Sequence, residues 1–144
     1  NTSVFKGSAT AIITPMNMDG SISYKKWKTF RISDFTSYEC IVVAGTTGES
    51  ACLSDEEHLR LIQFTCRIVN GRIPVIAGAG SNKQARTTFY VKTRKNEELL
   101  EIPNVTAVKE PVEISQLAKI TSRYRDRLDI TGGNDDRLYL PLLL

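Results

Sequence analysis

The sequence predicts an α/β fold in which helices cover a parallel sheet. Three observations carry that expectation. Short runs that are apolar or small almost throughout (SATAIIT, CIVVAG, IPVIAG, NVTAVKE and LDITGG) recur along the chain without strict period-two alternation, as strands buried on both faces require. Helical patterns with capping signals separate them. Each strand ends in Thr, Ser, Asn, Gly or charged residues, at the end of the sheet where such folds place their ligands. Periodicity alone leaves open whether the sheet stays open or closes into a barrel.

The elements follow in order. Residues 8–14, SATAIIT, form a first strand that Pro15 ends. Asp19-Gly20 marks a turn, and a mixed segment from Tyr24 to about Phe35 is helical. CIVVAG at 40–45 is the second strand. Ser54 then opens SDEE, a capping box with carboxylates in the first helical turn. Leu59, Leu61, Ile62, Phe64, Cys66 and Ile68 supply the apolar side of that helix, and Asn70-Gly71 ends it as a left-handed cap. IPVIAG at 73–78 is the third strand, with a helix expected from SNKQARTTFYVKTRKN. NVTAVKE is the fourth strand, ISQLAKITSRY a helix and LDITGG the fifth strand. Asn134-Asp135-Asp136 caps the apolar segment LYLPLLL.

Bulk properties narrow the function classes. A chain of 144 residues, 41% hydrophobic and 24% charged, suits one soluble domain with a sizeable core. Its 19 basic and 16 acidic side chains are scattered and leave a net charge of +3, so nucleic acid is not an expected partner. No apolar run reaches the ~18 residues of a membrane span, and no signal-peptide pattern opens the sequence. Cys40, Cys52 and Cys66 are odd in number and widely spaced, which suits free thiols in a reducing, cytoplasmic setting and gives no metal motif.

Several motifs carry chemistry. Thr46-Thr47-Gly48-Glu49 follows a strand and leads towards a helix, where backbone N–H groups can hold a carboxylate or phosphate. Gly78-Ala79-Gly80 fails as a dinucleotide fingerprint because Lys83 takes the place of the third glycine. His58, the only histidine, falls inside a helix start and suits a hydrogen-bonding role. Asp135 and Asp136 read as capping residues rather than cation ligands. Lys109 ends an apolar strand. An ammonium cannot attack a carbonyl, but apolar surroundings disfavour the charged form, and a neutral lysine amine forms Schiff bases with oxo-acids. Such an imine withdraws electrons and lets a proton leave the adjacent carbon. A strand simply returning to water is the competing explanation for a charge at that place.

GSATAIITPM, CIVVAGTTGESACLSDEEH, NGRIPVIAGAGSN, IPNVTAVKE and ITGGNDD, in that order, resemble the dihydrodipicolinate synthase branch of the pyruvate-dependent aldolases, of which N-acetylneuraminate lyase is a cousin. The resemblance implies a (β/α)8 TIM barrel, represented here only by strands one to three, six and seven. It implies a lyase that condenses pyruvate with aspartate semialdehyde, on the route to diaminopimelate and lysine. Lys109 matches the Schiff-base lysine, so the covalent imine takes the place of any metal or organic cofactor. Thr46 and Thr47 match the pair that holds the pyruvate carboxylate, with Thr47 also a proton-relay member, and Gly133 matches a backbone position near the substrate. The paired threonines favour the synthase over the neuraminate-cleaving relatives, which usually carry Ser-Thr there. Ser50, Ala51, His58 and Asn82 match a regulatory site for free lysine, although Asp55 and Arg86 depart from the residues common in lysine-sensitive forms. The partners implied are pyruvate, an aldehyde co-substrate and further copies of the chain in a homotetramer.

Measured against a full barrel of ~250 residues, much of the pattern is missing. Units four and most of five are absent, with the break near residues 96–97, as is everything after the start of the seventh helix. The family's strand-four TPYY and strand-five YNVPxRTG motifs supply tyrosines and an arginine. None of the five tyrosines here (Tyr24, Tyr38, Tyr90, Tyr124 and Tyr139) lies in such a motif. The uninterrupted strand ends and caps favour residues drawn from a longer protein over a deleted remnant. Taken as written, the chain cannot close an eight-stranded barrel, and open strand edges would face solvent or another chain.

Overall fold

The structure, a computed structural model, describes residues 7–29, 38–79, 102, 105–110, 122 and 129–132. They form, in order, β1 (Ala9–Ala11), α1 (Tyr24–Thr29), β2 (Cys40–Val43), a 3-10 turn at Ser50–Cys52, α2 (Asp55–Val69), β3 (Val75–Gly78), β4 (Val105–Glu110) and β5 (Asp129–Gly132). The helix expected over 81–96, the break at 96–97 and the segment after residue 133 lie outside the described residues, as does the helix expected over 114–124 apart from Ser122.

Among the described strands every pairing is parallel, in the order β1-β2-β3-β4-β5. This is part of a β/α barrel. The apolar strand runs predicted the parallel sheet, because such a sheet needs both faces covered, while the barrel was what the resemblance implied. On one face Ile41, Val43, Val75 and Ala77 join the main core with α2. On the other, Cys40, Val42, Ile76 and Ala107 form a smaller buried cluster. Alternate residues thus serve opposite faces of the same strands. Burial pushes the Cys40 and Cys66 thiols up to about 11, so both stay protonated and behave as small apolar groups.

The strands matching units three and six, β3 and β4, are hydrogen-bonded neighbours, so the open edges expected of an incomplete barrel do not lie between them. Parallel strands of the same polarity satisfy each other's backbone groups wherever they meet. The junction has a register irregularity between Val75 and Ile76: Val75 pairs with Val105, but Ile76 pairs with Ala107. Among the described strands, the edges belong to β1 and β5.

After β1 the chain turns out at Thr14-Pro15 into a small hairpin, bridged at Met16 and Ile22. The Asp19 carboxylate accepts from the Ser21 N–H at 3.0 Å and the Ser21 hydroxyl at 2.7 Å, and Gly20 has φ 85°. That excursion delivers Ser23 to the start of α1, whose Trp27 is buried and donates to Thr65 Oγ1 of α2 at 3.2 Å.

Helix α2 has both predicted signals. Glu57 N–H donates to Ser54 Oγ at 3.2 Å and Ser54 N–H to Glu57 Oε2 at 2.8 Å, which completes the capping box. Asn70 adopts φ 48° and closes the other end. Its buried stripe is His58, Leu61, Ile62, Thr65, Cys66 and Val69, spaced as a helical face requires. Leu59 and Phe64 are only partly buried against the core. The apolar list read from sequence therefore missed His58, Thr65 and Val69. Thr65 is buried because its hydroxyl donates to Leu61 O at 2.8 Å, which removes the cost of hiding it. Ser54→Ala is expected to destabilise the fold by about 1 kcal/mol, measured as a lowered midpoint of urea unfolding with an unchanged slope.

Among the described residues, no helix is long and apolar enough to cross a membrane, and no three His, Cys, Asp or Glu side chains gather as metal ligands.

Candidate active site

The C-terminal ends of β1 to β4 build one locality. It begins where β2 leaves the sheet. Ala44 takes a left-handed φ of 53° and is fully buried, a conformation that costs a non-glycine residue of order 1 kcal/mol and persists only when its surroundings impose it. It turns the chain into Gly45-Thr46-Thr47-Gly48. Glu49 N–H then donates to Thr46 O at 3.0 Å and Ser50 N–H to Gly45 O at 3.3 Å, which closes the loop onto itself. Glu49 repeats the left-handed conformation at φ 55° and leads into the 3-10 turn.

Thr14 anchors the loop from β1's side. Its buried hydroxyl donates to Gly48 O at 2.6 Å. A Cβ at Gly48 would lie 3.2 Å from Ala44 N, Ile12 O and Thr14 Oγ1, so the loop is packed tightly at its base. Thr46 and Thr47 stand on the outer side of this turn and are exposed. A rigid base with two outward threonines can hold a small anion by hydroxyl and backbone donors.

The lysine strand approaches through β3. Val43 pairs with Ala77, so Ala44 and Gly78 follow the last paired positions. A Cβ on Gly78 would lie 2.5 Å from Ala44 O and 2.6 Å from both Gly45 N and Gly45 Cα. On its other side, the Gly78 Cα is the register partner of Lys109. Ala79 N–H donates to Lys109 O at 3.1 Å, which extends the ladder one residue further. Lys109 lies two residues beyond Ala107 and so shares the face of the Cys40, Val42, Ile76 and Ala107 cluster. It is half-buried there.

Of the other site residues expected from the sequence, Ser50 is half-buried and Ala51 exposed, both on the 3-10 turn. His58 is 4% exposed, and its Nε2 lies 2.8 Å from Gly78 O. Gly133 and Asn82 lie outside the described residues. The locality thus brings together Thr46, Thr47, Gly78, His58 and the strand of Lys109. Sequence reasoning missed Thr14 and Gly78. Thr14 stood in view as part of a strand-ending Thr-Pro, but nothing local indicates that its partner is Gly48. Gly78 stands among the strand-ending glycines and in a failed nucleotide motif, but nothing local indicates that it packs on Ala44 and Gly45.

Comparisons with known proteins bear on the family and the fold. A profile of the dihydrodipicolinate synthetase family matches residues 4–87. A 4-hydroxy-tetrahydrodipicolinate synthase of Gluconacetobacter diazotrophicus is 46% identical over 98 residues, covering 66% of this chain and 32% of the relative. One from Clostridium acetobutylicum is 33% identical over 199 residues, covering 98% of this chain and 67% of the relative. That alignment is longer than the 144-residue chain, so the relative carries residues that have no counterpart here. Among solved structures, the 4-hydroxy-tetrahydrodipicolinate synthase of Methylacidiphilum fumariolicum SolV superposes with a TM-score of 0.66 at 29% identity, over 89% of this chain and 43% of that one. The chain spans between about a third and two thirds of the length of these relatives.

Proposed function

The chain belongs to the dihydrodipicolinate synthetase family, and from that premise we propose that it captures pyruvate as a Schiff base on Lys109 and condenses it with aspartate semialdehyde. The observation that carries the reading is the shared strand-end locality. Lys109 is the register partner of Gly78, and the Gly78 backbone packs on the Ala44-Gly45 step that leads into Thr46-Thr47.

In this reading Thr46, Thr47 and the backbone of their turn hold the pyruvate carboxylate, which fixes the keto carbon for attack. The neutral amine of Lys109 adds to that carbon, and the carbinolamine loses water to give the imine. Protonated, the imine draws electrons from the neighbouring carbon, whose proton leaves with Thr47 as a relay member. The resulting enamine carbon forms the new bond to the aldehyde carbon, whose oxygen takes up a proton, and the regenerated imine is released from Lys109 by attack of the semialdehyde-derived amino group or of water, which frees the amine. The imine itself is the electron sink, so the proposed chemistry uses no metal or organic cofactor. Assembly into a homotetramer and a cytoplasmic setting belong to the same proposal, as does regulation by free lysine through Ser50, Ala51, His58 and Asn82.

A second reading has its own support. The chain lacks the TPYY and YNVPxRTG motifs and spans only part of its relatives. That favours a piece that binds pyruvate without completing the condensation. A related aldolase using another aldehyde differs only in the second substrate.

Incubation with pyruvate and borohydride separates these readings. Hydride reduces the imine carbon to a stable secondary amine, expected on Lys109 and located by peptide mass. An adduct with turnover of aspartate semialdehyde supports the synthase, and turnover only in an aldehyde panel supports the related aldolase. An adduct without any turnover supports the silent piece. Unmodified Lys109 in the folded protein defeats the Schiff-base reading.

A further inference from the structure

We propose that His58 is a positioning residue that tethers the end of β3, and through it the Lys109 strand, to the first turn of α2. The imidazole lies in the fourth position of the helix, held in place by the capping box at Ser54 and Glu57 and by its own N–H to Ser54 O at 2.9 Å. It is 4% exposed and its Nε2 lies 2.8 Å from Gly78 O. A carbonyl oxygen only accepts, so Nε2 carries the hydrogen and donates.

Gly78 is the junction of the locality. Its backbone abuts Ala44 and Gly45 on one side, and its Cα pairs with Lys109 on the other, with Ala79 N–H on Lys109 O as the next rung. A carbonyl taken by the helix is fixed in direction, so the peptide plane between Gly78 and Ala79 cannot rotate freely. The Ala79 N–H, in that same plane, is thereby aimed at Lys109 O. One imidazole therefore holds the rung that locates the lysine relative to the threonine turn. A shift of about 1 Å between reacting groups can cost about a hundredfold in rate.

The inference rests on the Schiff-base reading for its kinetic readout but not for its structural one. The variants are His58→Leu, which has no donor, His58→Asn, whose amide falls one carbon short, and His58→Gln, whose amide nitrogen reaches as far as Nε2. Borohydride trapping is expected to slow about tenfold in the Leu and Asn variants, with little change in the pyruvate concentration for half-saturation, and to recover in His58→Gln. Amide exchange at Ala79 is expected to quicken in the same two variants relative to Ile41, whose N–H bonds Pro74 O at the opposite end of the sheet. Exchange at Ala79 should be slow again in His58→Gln.

A general loosening of the fold would speed both amides. Equal change at Ala79 and Ile41, no change at Ala79, or no recovery in His58→Gln overturns the proposal. So does unfolding of both the Leu and the Asn variants while His58→Gln stays folded, since the bond would then serve the fold alone. If the parent chain forms no adduct, the pyruvate reading falls, and the Ala79 pattern alone decides the tether.

Discussion

Lys109→Gln is expected to abolish the borohydride-stable pyruvate adduct, lowering trapping at this peptide by at least about a thousandfold. An amide nitrogen shares its lone pair with the carbonyl and does not add to a ketone. The substitution keeps a side chain of similar length and leaves the backbone pairings of Lys109 with Gly78 and Thr131 untouched. Thermal unfolding should therefore stay within a few degrees of the parent, equivalent to roughly 1 kcal/mol or less. Lys109→Arg is the sharper control, because the guanidinium is positively charged but never offers a free amine. If charge alone drew pyruvate in, Arg would retain much of the effect. The chain has nine lysines, so the adduct must be located by peptide mass. A parent adduct spread evenly over Lys25, Lys26 and Lys28, which are exposed on α1, would remove the special standing of Lys109.

Gly78→Ala carries the largest expected cost to stability. The added methyl would sit 2.5 Å from Ala44 O and 2.6 Å from Gly45 N and Cα. These are backbone atoms, and Ala44 is already held in a left-handed conformation, so the neighbour has no rotamer with which to yield. Overpacking of this kind costs about 3 kcal/mol, which for a chain of this size lowers the thermal midpoint by roughly 10 °C. Gly45→Ala is the matched comparison. Its Cβ would meet only Val42 Cγ1 at 3.7 Å, an ordinary contact, so the loss should stay near or below about 1 kcal/mol. Equal stability of the two variants in urea unfolding would show that β2 and β3 do not approach as described.

What the sequence made legible is what is local. The capping box at Ser54, the left-handed stop at Asn70 and the apolar strand runs follow from neighbours within a turn or a strand, and they recur in the structure. The stripe of α2 was legible in part. The helical period places His58, Thr65 and Val69 on the buried face, but polarity alone had kept His58 and Thr65 off the list. Long-range partnerships were not legible. Nothing in the residues around Thr14 indicates Gly48, and nothing around His58 indicates Gly78, since those contacts exist only once the strands are side by side. Strand order was hidden for the same reason. A run of apolar residues indicates a strand but not its neighbour, so the pairing of β3 with β4 came only from the fold. The special reading of Lys109 drew on the resemblance, because a charged strand end is common chemistry.

The adjacency of β3 and β4 changes how a ligand would be gripped. In a ring of eight strands, the second and the sixth face each other across the lumen, like opposed jaws. Here β2 and β4 flank β3 in one hydrogen-bonded plate, about 10 Å apart at two strand spacings. On the proposed reading, the carboxylate cradle and the amine would then be parts of a single stiff body, and the gap that an oxo-acid would enter is set by the ladder before any ligand arrives.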